Sequence, residues 1–247
     1  MQPRPSRWIR AGLVCLPSYG LLTFWTTLDP QPDPSRRYAA WARYVTTDQY
    51  VLTHVVGSGL GTILGIFGVF ALAAHLASTH ARNISLLAMV ITVLGQTLFL
   101  MVIGISAVAA PLEGQAYRAG IYALRDLPST TASVAQGLIG LLVITLSFLG
   151  NSLLGVAIWR SRILPRWTAA VWTVAAVLMY PLGLVVAAAM TGSTPRTVLV
   201  GALLVTASGG WIAWCVQQGS SPAGRTPRLD PAIVDLAAGS SRRGTGR

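Results

Sequence analysis

The sequence predicts an all-α fold: a polytopic transmembrane helical bundle of six spans with both termini cytoplasmic. Three observations predict it. The 247 residues are 53% hydrophobic and 10% charged, whereas soluble domains carry about 25% charged residues to cover their surface in water. Six apolar stretches are each long enough to cross about 30 Å of hydrocarbon. The arginines divide twelve to six between the two sides that these spans define, the bias that sets membrane orientation.

The spans are expected near Ile9–Leu28, Val51–Leu76, Ile84–Ala110, Ser133–Trp159, Trp167–Met190 and Val198–Val216. Arg4, Arg7 and Arg10 precede the first span as in a signal peptide. Its apolar core is too long for that, however, and "FWTTLDP" offers no small-residue cleavage site, so an uncleaved span is expected. "AGLVC" before Cys15 looks like a lipoprotein signal, but valine is too large for the position before the cysteine. Pro17 and Pro181 fall near the middle of spans 1 and 5, where each removes one backbone hydrogen bond and bends the helix.

Orientation follows from arginine alone, since all 18 basic residues are arginine. Twelve lie on one side: Arg4, Arg7, Arg10, Arg82, Arg160, Arg162, Arg166, Arg225, Arg228, Arg242, Arg243 and Arg247. Six lie on the other: Arg36, Arg37, Arg43, Arg118, Arg125 and Arg196. The richer side is cytoplasmic by the positive-inside rule. The net charge of +11 has its source there, so nucleic acid is not a predicted partner.

Two outer connections have some body. Tyr38, Trp41 and Val45 recur at helical spacing after a proline-rich turn, which suits a short interfacial helix. Tyr117, Ile121 and Leu124 do the same in the second connection. Thr46 and Gln49 have capping-box spacing ahead of span 2. Residues 1–217 are read as the six-span domain. The remainder, 218–247, rich in Gly, Ser, Pro and Arg, is read as a disordered basic cytoplasmic tail.

Span 2 contains "HVVGSGLGTILGIFG", an apolar run with five glycines. On a helix, Gly57, Gly61, Gly65 and Gly68 fall within an arc of about 80°. Such a ridge without side chains lets another helix approach closely, and in lipid close packing replaces the hydrophobic drive. These four are the predicted helix-packing residues. The expected partner, met directly or across a small cavity, is the polar stripe of span 4, built from Ser133, Gln136, Gly140, Ser147 and Asn151, which shares an arc of about 60°. Span 3 adds Ser85, Thr92 and Gln96, the last close to mid-membrane. A polar cavity between spans 2, 3 and 4 would be lined by His54, Gln96, Gln136, Ser147 and Asn151.

Other chemistries find little footing. No Asp, Glu or Arg lies deep in a span, so a buried charge relay is absent. His54 and His75 are about 31 Å apart along one helix, too far to hold one haem iron. Cys15 and Cys215 have no metal-ligand spacing. Asp48, His54, Glu113 and Asp126 could gather on the outer face, but no H-E-x-x-H, paired C-x-x-C or G-x-S-x-G motif supports a site there. No catalytic residue, metal or cofactor is predicted.

"HVVGSGLGTILGIFGVFALAAHL" and "GNSLLGVAIWRSRILPRWTAAVWTVAAVL" together resemble uncharacterised multi-pass membrane proteins of actinobacteria and related bacteria, over Asp48 to Met190. The resemblance implies a bacterial plasma membrane location and no catalytic or binding residues. The favoured reading is a non-enzymatic membrane component. It would act through helix packing or partner binding, with the lipid bilayer and other membrane proteins or its own copies as partners. The alternative is a permease for a small neutral solute. A continuous polar cavity at mid-membrane would favour the permease.

Overall fold

A computed structural model describes residues 6–29, 31–123, 131–190 and 195–218. Within α6 the side chains of residues 131–133 and 136 lie outside that description. The expected tail from residue 219 onward, Leu124, Arg125 and Asp126 lie outside the described residues.

The described residues form helices and connections, with no strand among them. Helix α1 is Arg7–Thr27, α2 is Tyr38–Val45 and α3 is Asp48–Leu52. A π-helical segment, Thr53–Leu60, runs from α3 into α4, Gly61–Leu76. Then come α5 (Arg82–Arg118), α6 (Thr131–Ser161), α7 (Arg166–Met179), α8 (Pro181–Met190) and α9 (Arg196–Gln218). Five helices are long and apolar enough to cross a membrane: Asp48–Leu76, Arg82–Arg118, Gly137–Ser161, Arg166–Ala189 and Arg196–Gln218. The 21-residue α1 is not one of them. Pro17, Ser18, Tyr19 and three threonines dilute its apolar content.

Contacts join α1 to α4, α4 to α5, α5 to α6, α6 to α7, α7 to α9 and α9 back to α1. The six long elements thus close a ring in chain order, each antiparallel to its neighbours. Small residues set the close approaches. A Cβ on Gly150 of α6 would collide with Thr92 of α5, and one on Gly201 of α9 with Met179 of α7. One end of the ring is dry. Leu13, Leu16, Leu72, Leu76, Leu154, Ile158 and Ile212 are fully buried there in a single cluster, with Trp172 beside them. A second, aromatic cluster caps the opposite end: Trp41, Ala42, Val45 and Tyr50 are buried, with Tyr38, Tyr44 and Tyr117 against them.

Several boundaries differ from the expected ones for identifiable reasons. Helix α5 does not stop at Ala110 but runs through Pro111 to Arg118. It ends where Gly120 takes a φ of 87° and lets Ile121 N–H reach back to the Ala116 carbonyl at 3.0 Å. The expected second surface helix through Ile121 therefore does not form, and Ile121 is exposed. The cap ahead of span 2 is Thr47, whose hydroxyl accepts from Tyr50 N–H at 3.3 Å. Thr46 instead donates to the Ala42 and Arg43 carbonyls. Span 5 breaks at Tyr180, between α7 and α8, because Pro181 has no N–H to continue the ladder, whereas α1 continues past Pro17. Helix α2 forms where expected, but Trp41 and Val45 are buried against protein.

Candidate functional site

The glycines of span 2 do face a neighbouring helix, and it is α1. A Cβ on Gly57 would strike Thr26, one on Gly61 would come within 3.2 Å of Leu22, one on Gly65 within 3.1 Å of Tyr19, and one on Gly68 within 2.6 Å of Leu16. The ridge therefore packs on α1, and the direct form of the expected pairing with the span 4 stripe does not occur. The α6 stripe turns to α5 instead, where Ser147 is buried against Gly95. Asn151 is also buried, its Nδ2 donating to the Ser147 carbonyl at 2.8 Å. Gly140 has open space where a Cβ would be, and the Gln136 side chain lies outside the described residues. The ring order explains the error. Spans 2 and 4 run in the same direction, so another helix stands between them on one side and the hollow centre on the other.

That centre is a cavity of about 330 Å³, the liquid volume of roughly ten waters. It lies between the dry cluster and the aromatic cap. Every position of the ring contributes to its wall. Helix α1 gives Tyr19, Thr23, Thr26 and Thr27, and the π-helical segment gives Thr53, His54 and Ser58. Thr62 follows on α4, Gln96 and Phe99 on α5, Val143 and Ile144 on α6, Met179 and Tyr180 at the α7 break, and Val198 on α9. Asp29, Gln31 and Tyr44 stand at the rim. Of the five expected lining residues, His54 and Gln96 are in the wall. Ser147 stands one layer back, beside Tyr180, whose hydroxyl pairs with that of Tyr19. Asn151 lies deeper, against the dry end.

The wall's hydroxyl protons are largely committed to backbone carbonyls. Thr26 donates to Thr23 O at 2.9 Å, Thr27 to Phe24 O at 2.8 Å, Thr53 to Gln49 O at 2.9 Å and Thr62 to Ser58 O at 2.7 Å. His54 Nδ1 lies 3.0 Å from the Tyr50 carbonyl. A carbonyl only accepts, so Nδ1 carries the proton and Nε2 keeps a lone pair. Gln96 is 3% exposed, and its Oε1 is buried without a partner. An unpaired buried amide oxygen costs about 1–3 kcal/mol, which a ligand or solvent in the cavity would relieve.

Asp29 is the one carboxylate of the lining, and no arginine joins it there. It accepts from the Tyr44 hydroxyl at 3.1 Å. Burial and then the Asp29 charge push the Tyr44 pKa up to about 12. Asp33, farther along the connection, accepts from Ser35 N–H at 2.8 Å and Ser35 Oγ at 2.7 Å. Those bonds hold its carboxyl below the usual carboxylate range. Among the described residues the outer acids do not converge, and Asp126 lies outside them. Glu113 accepts from Tyr38 at 2.6 Å, and no group of three His, Cys, Asp or Glu side chains among the described residues could hold a metal.

Sequence reasoning missed most of this site. Thr23, Thr26, Thr27 and Tyr19 carry a signal in the run "PSYGLLTFWTT", which is unusually polar for a span. Tyr180 is marked by the following proline. The π-helical segment has its signal in the glycines, which let the backbone widen at little steric cost; π segments are frequent at functional sites. No family model, curated protein or solved structure matches the chain.

Proposed function

We propose that the protein is a multi-pass integral membrane protein of the bacterial plasma membrane that admits a small polar solute to its central cavity, and that it acts as a permease. One observation carries this reading: about 330 Å³ of space at the centre of a closed helical ring, its largely apolar wall set with the polar groups of Tyr19, Thr23, Thr26, His54, Ser58 and Gln96. A component built for packing alone has no use for a buried Gln96 whose oxygen has no protein partner in the wall of such a cavity. The dry cluster closes one end, so the arrangement is a one-sided access state of an alternating cycle. The π-helical segment and the α7–α8 break are the places where the wall can yield.

In this reading the chain crosses six times. Helix α1 supports the sixth crossing by its register. Its contacts with span 2 descend in antiparallel order from Gly57 against Thr26, through Gly61 against Leu22, to Gly68 against Leu16, and α1 Gly12 reaches Ala71. It therefore covers the same depth as its neighbours. The arginine-rich end is the cytoplasmic one, and Trp159, Trp167, Trp211 and Trp214 are exposed there, as an interfacial aromatic belt would be. The cavity rim then faces outward.

The test is flux. Proteoliposomes are loaded with small polar solutes of up to roughly ten non-hydrogen atoms, in cationic, neutral and anionic series. Faster exchange than in protein-free vesicles for at least one series is expected, with loss on Ser58→Trp. Exchange equal to that of empty vesicles for every solute overturns the permease.

A further inference from the structure

The hydrogen-bonding character of the wall points to a narrower class of ligand. Resting on the cavity reading above, we infer that the solute is a small organic ammonium ion, held by Asp29 at the rim and by the Gln96 carbonyl oxygen at mid-depth. The argument is one of unused capacity. Thr26, Thr27, Thr53 and Thr62 have spent their hydroxyl protons on backbone carbonyls. Each still has oxygen lone pairs. His54 has spent its Nδ1 proton on Tyr50 and keeps the Nε2 lone pair. Gln96 Oε1 is buried and unpaired. These positions therefore offer lone pairs to a ligand that brings N–H groups, beside the donors that Gln31, Ser58 and the Gln96 amide nitrogen contribute to the same wall.

Charge agrees with that count. Asp29 receives one neutral hydrogen bond, from Tyr44. The ion pair found among the described residues is Arg36 with Asp33 at 4.0 Å, so no basic side chain among them pairs with Asp29. In a chain of net charge +11, an acidic rim without an arginine is selective by position. It attracts a cation and disfavours an anion. Phe99, Tyr19 and Tyr180 line the same space, and aromatic rings suit the alkyl part of an organic ammonium and its charge.

The experiment uses the full chain in nanodiscs and three probes of one shape: n-butylammonium, n-butanol and butyrate. Binding is read by calorimetry and by the thermal midpoint. The ammonium is expected to bind at least tenfold more tightly than the alcohol, and butyrate not to bind. Asp29→Asn is expected to lower ammonium affinity about tenfold and leave alcohol affinity within twofold. Equal binding of alcohol and ammonium, or preference for butyrate, overturns the ammonium inference and leaves the cavity reading standing. No binding of any probe, with no response of the midpoint, overturns both. The charge series is run on the unmodified chain, so a poorly folding Asp29→Asn does not protect the inference. Asp29→Glu, which keeps the charge, is expected to retain the ammonium preference.

Discussion

The Tyr44 hydroxyl donates to Asp29 Oδ2 at 3.1 Å, and that bond ties the aromatic cap to the end of α1. It also gives the cap a measurable titration. Tyrosine ordinarily titrates near pH 10, and Tyr44 is pushed up to about 12 by burial and by the adjacent carboxylate. The folded value lies above the unfolded one, so the neutral phenol favours the fold. Its contribution is complete below about pH 10 and is lost as the pH rises through about 12. Alkaline titration of tyrosinate absorbance should show a late-ionising phase whose amplitude falls by one phenol in Tyr44→Phe. Identical late phases in the two proteins would contradict the assignment.

The contact between Gly68 and Leu16 makes a stability prediction. A Cβ at residue 68 would lie 2.6 Å from Leu16 Cδ2 and 3.0 Å from Leu16 N, and the backbone atom cannot step aside as a side-chain end can. Gly68→Leu should cost about 1–3 kcal/mol or more through overpacking and lower the yield of monodisperse protein. Gly104→Leu is the internal comparison, because nothing lies within 4 Å of a Cβ there. It should fold like the parent chain. Equal yields and midpoints for both variants would show that the α1–α4 seam is not closely packed.

These two seams mark what the sequence discloses and what it hides. Helix existence was legible for nearly every element, because apolar length and arginine placement are local properties. The glycine ridge was legible as a ridge for the same reason. Its partner was not, since a face on one helix does not name the helix opposite. The closed ring, which puts α1 against both α4 and α9, is a property of all six long elements together. His54 and Gln96 could be picked out as polar groups in apolar runs. Thr23, Thr26 and Thr27 were passed over because threonines near a span end satisfy themselves on the helix backbone and look inert. The α5 overrun past Ala110 was hidden by Pro111, which usually marks a boundary.

Gln96 should trade stability against function. Its buried oxygen has no partner, so an apolar replacement of similar volume removes a desolvation cost and no protein hydrogen bond. Gln96→Leu is expected to leave the thermal midpoint unchanged or raise it, while reducing solute binding and flux at least tenfold. A fall in midpoint with unchanged flux would mean that the amide supports the bundle and takes no part in solute recognition.

The six-crossing topology has a direct chemical test, and α1 is the element at stake, since it falls outside the set of five strongly apolar helices. Cys15 and Cys215 are first replaced by alanine to give a cysteine-free chain. Ala39→Cys on α2 and His80→Cys in the turn between α4 and α5 are both exposed positions, placed at opposite ends of span 2. In intact cells a membrane-impermeant maleimide should label the cysteine at 39, and label the one at 80 only after permeabilisation. A protease-removable tag at the amino terminus should behave like residue 80. If the tag is instead cleaved from outside along with labelling at 39, α1 does not cross. The ring would then need a membrane boundary that runs between two helices packed along their whole length. Gly12 meets Ala71 at one end of that seam and Gly57 meets Thr26 at the other, so a protected tag is the expected outcome.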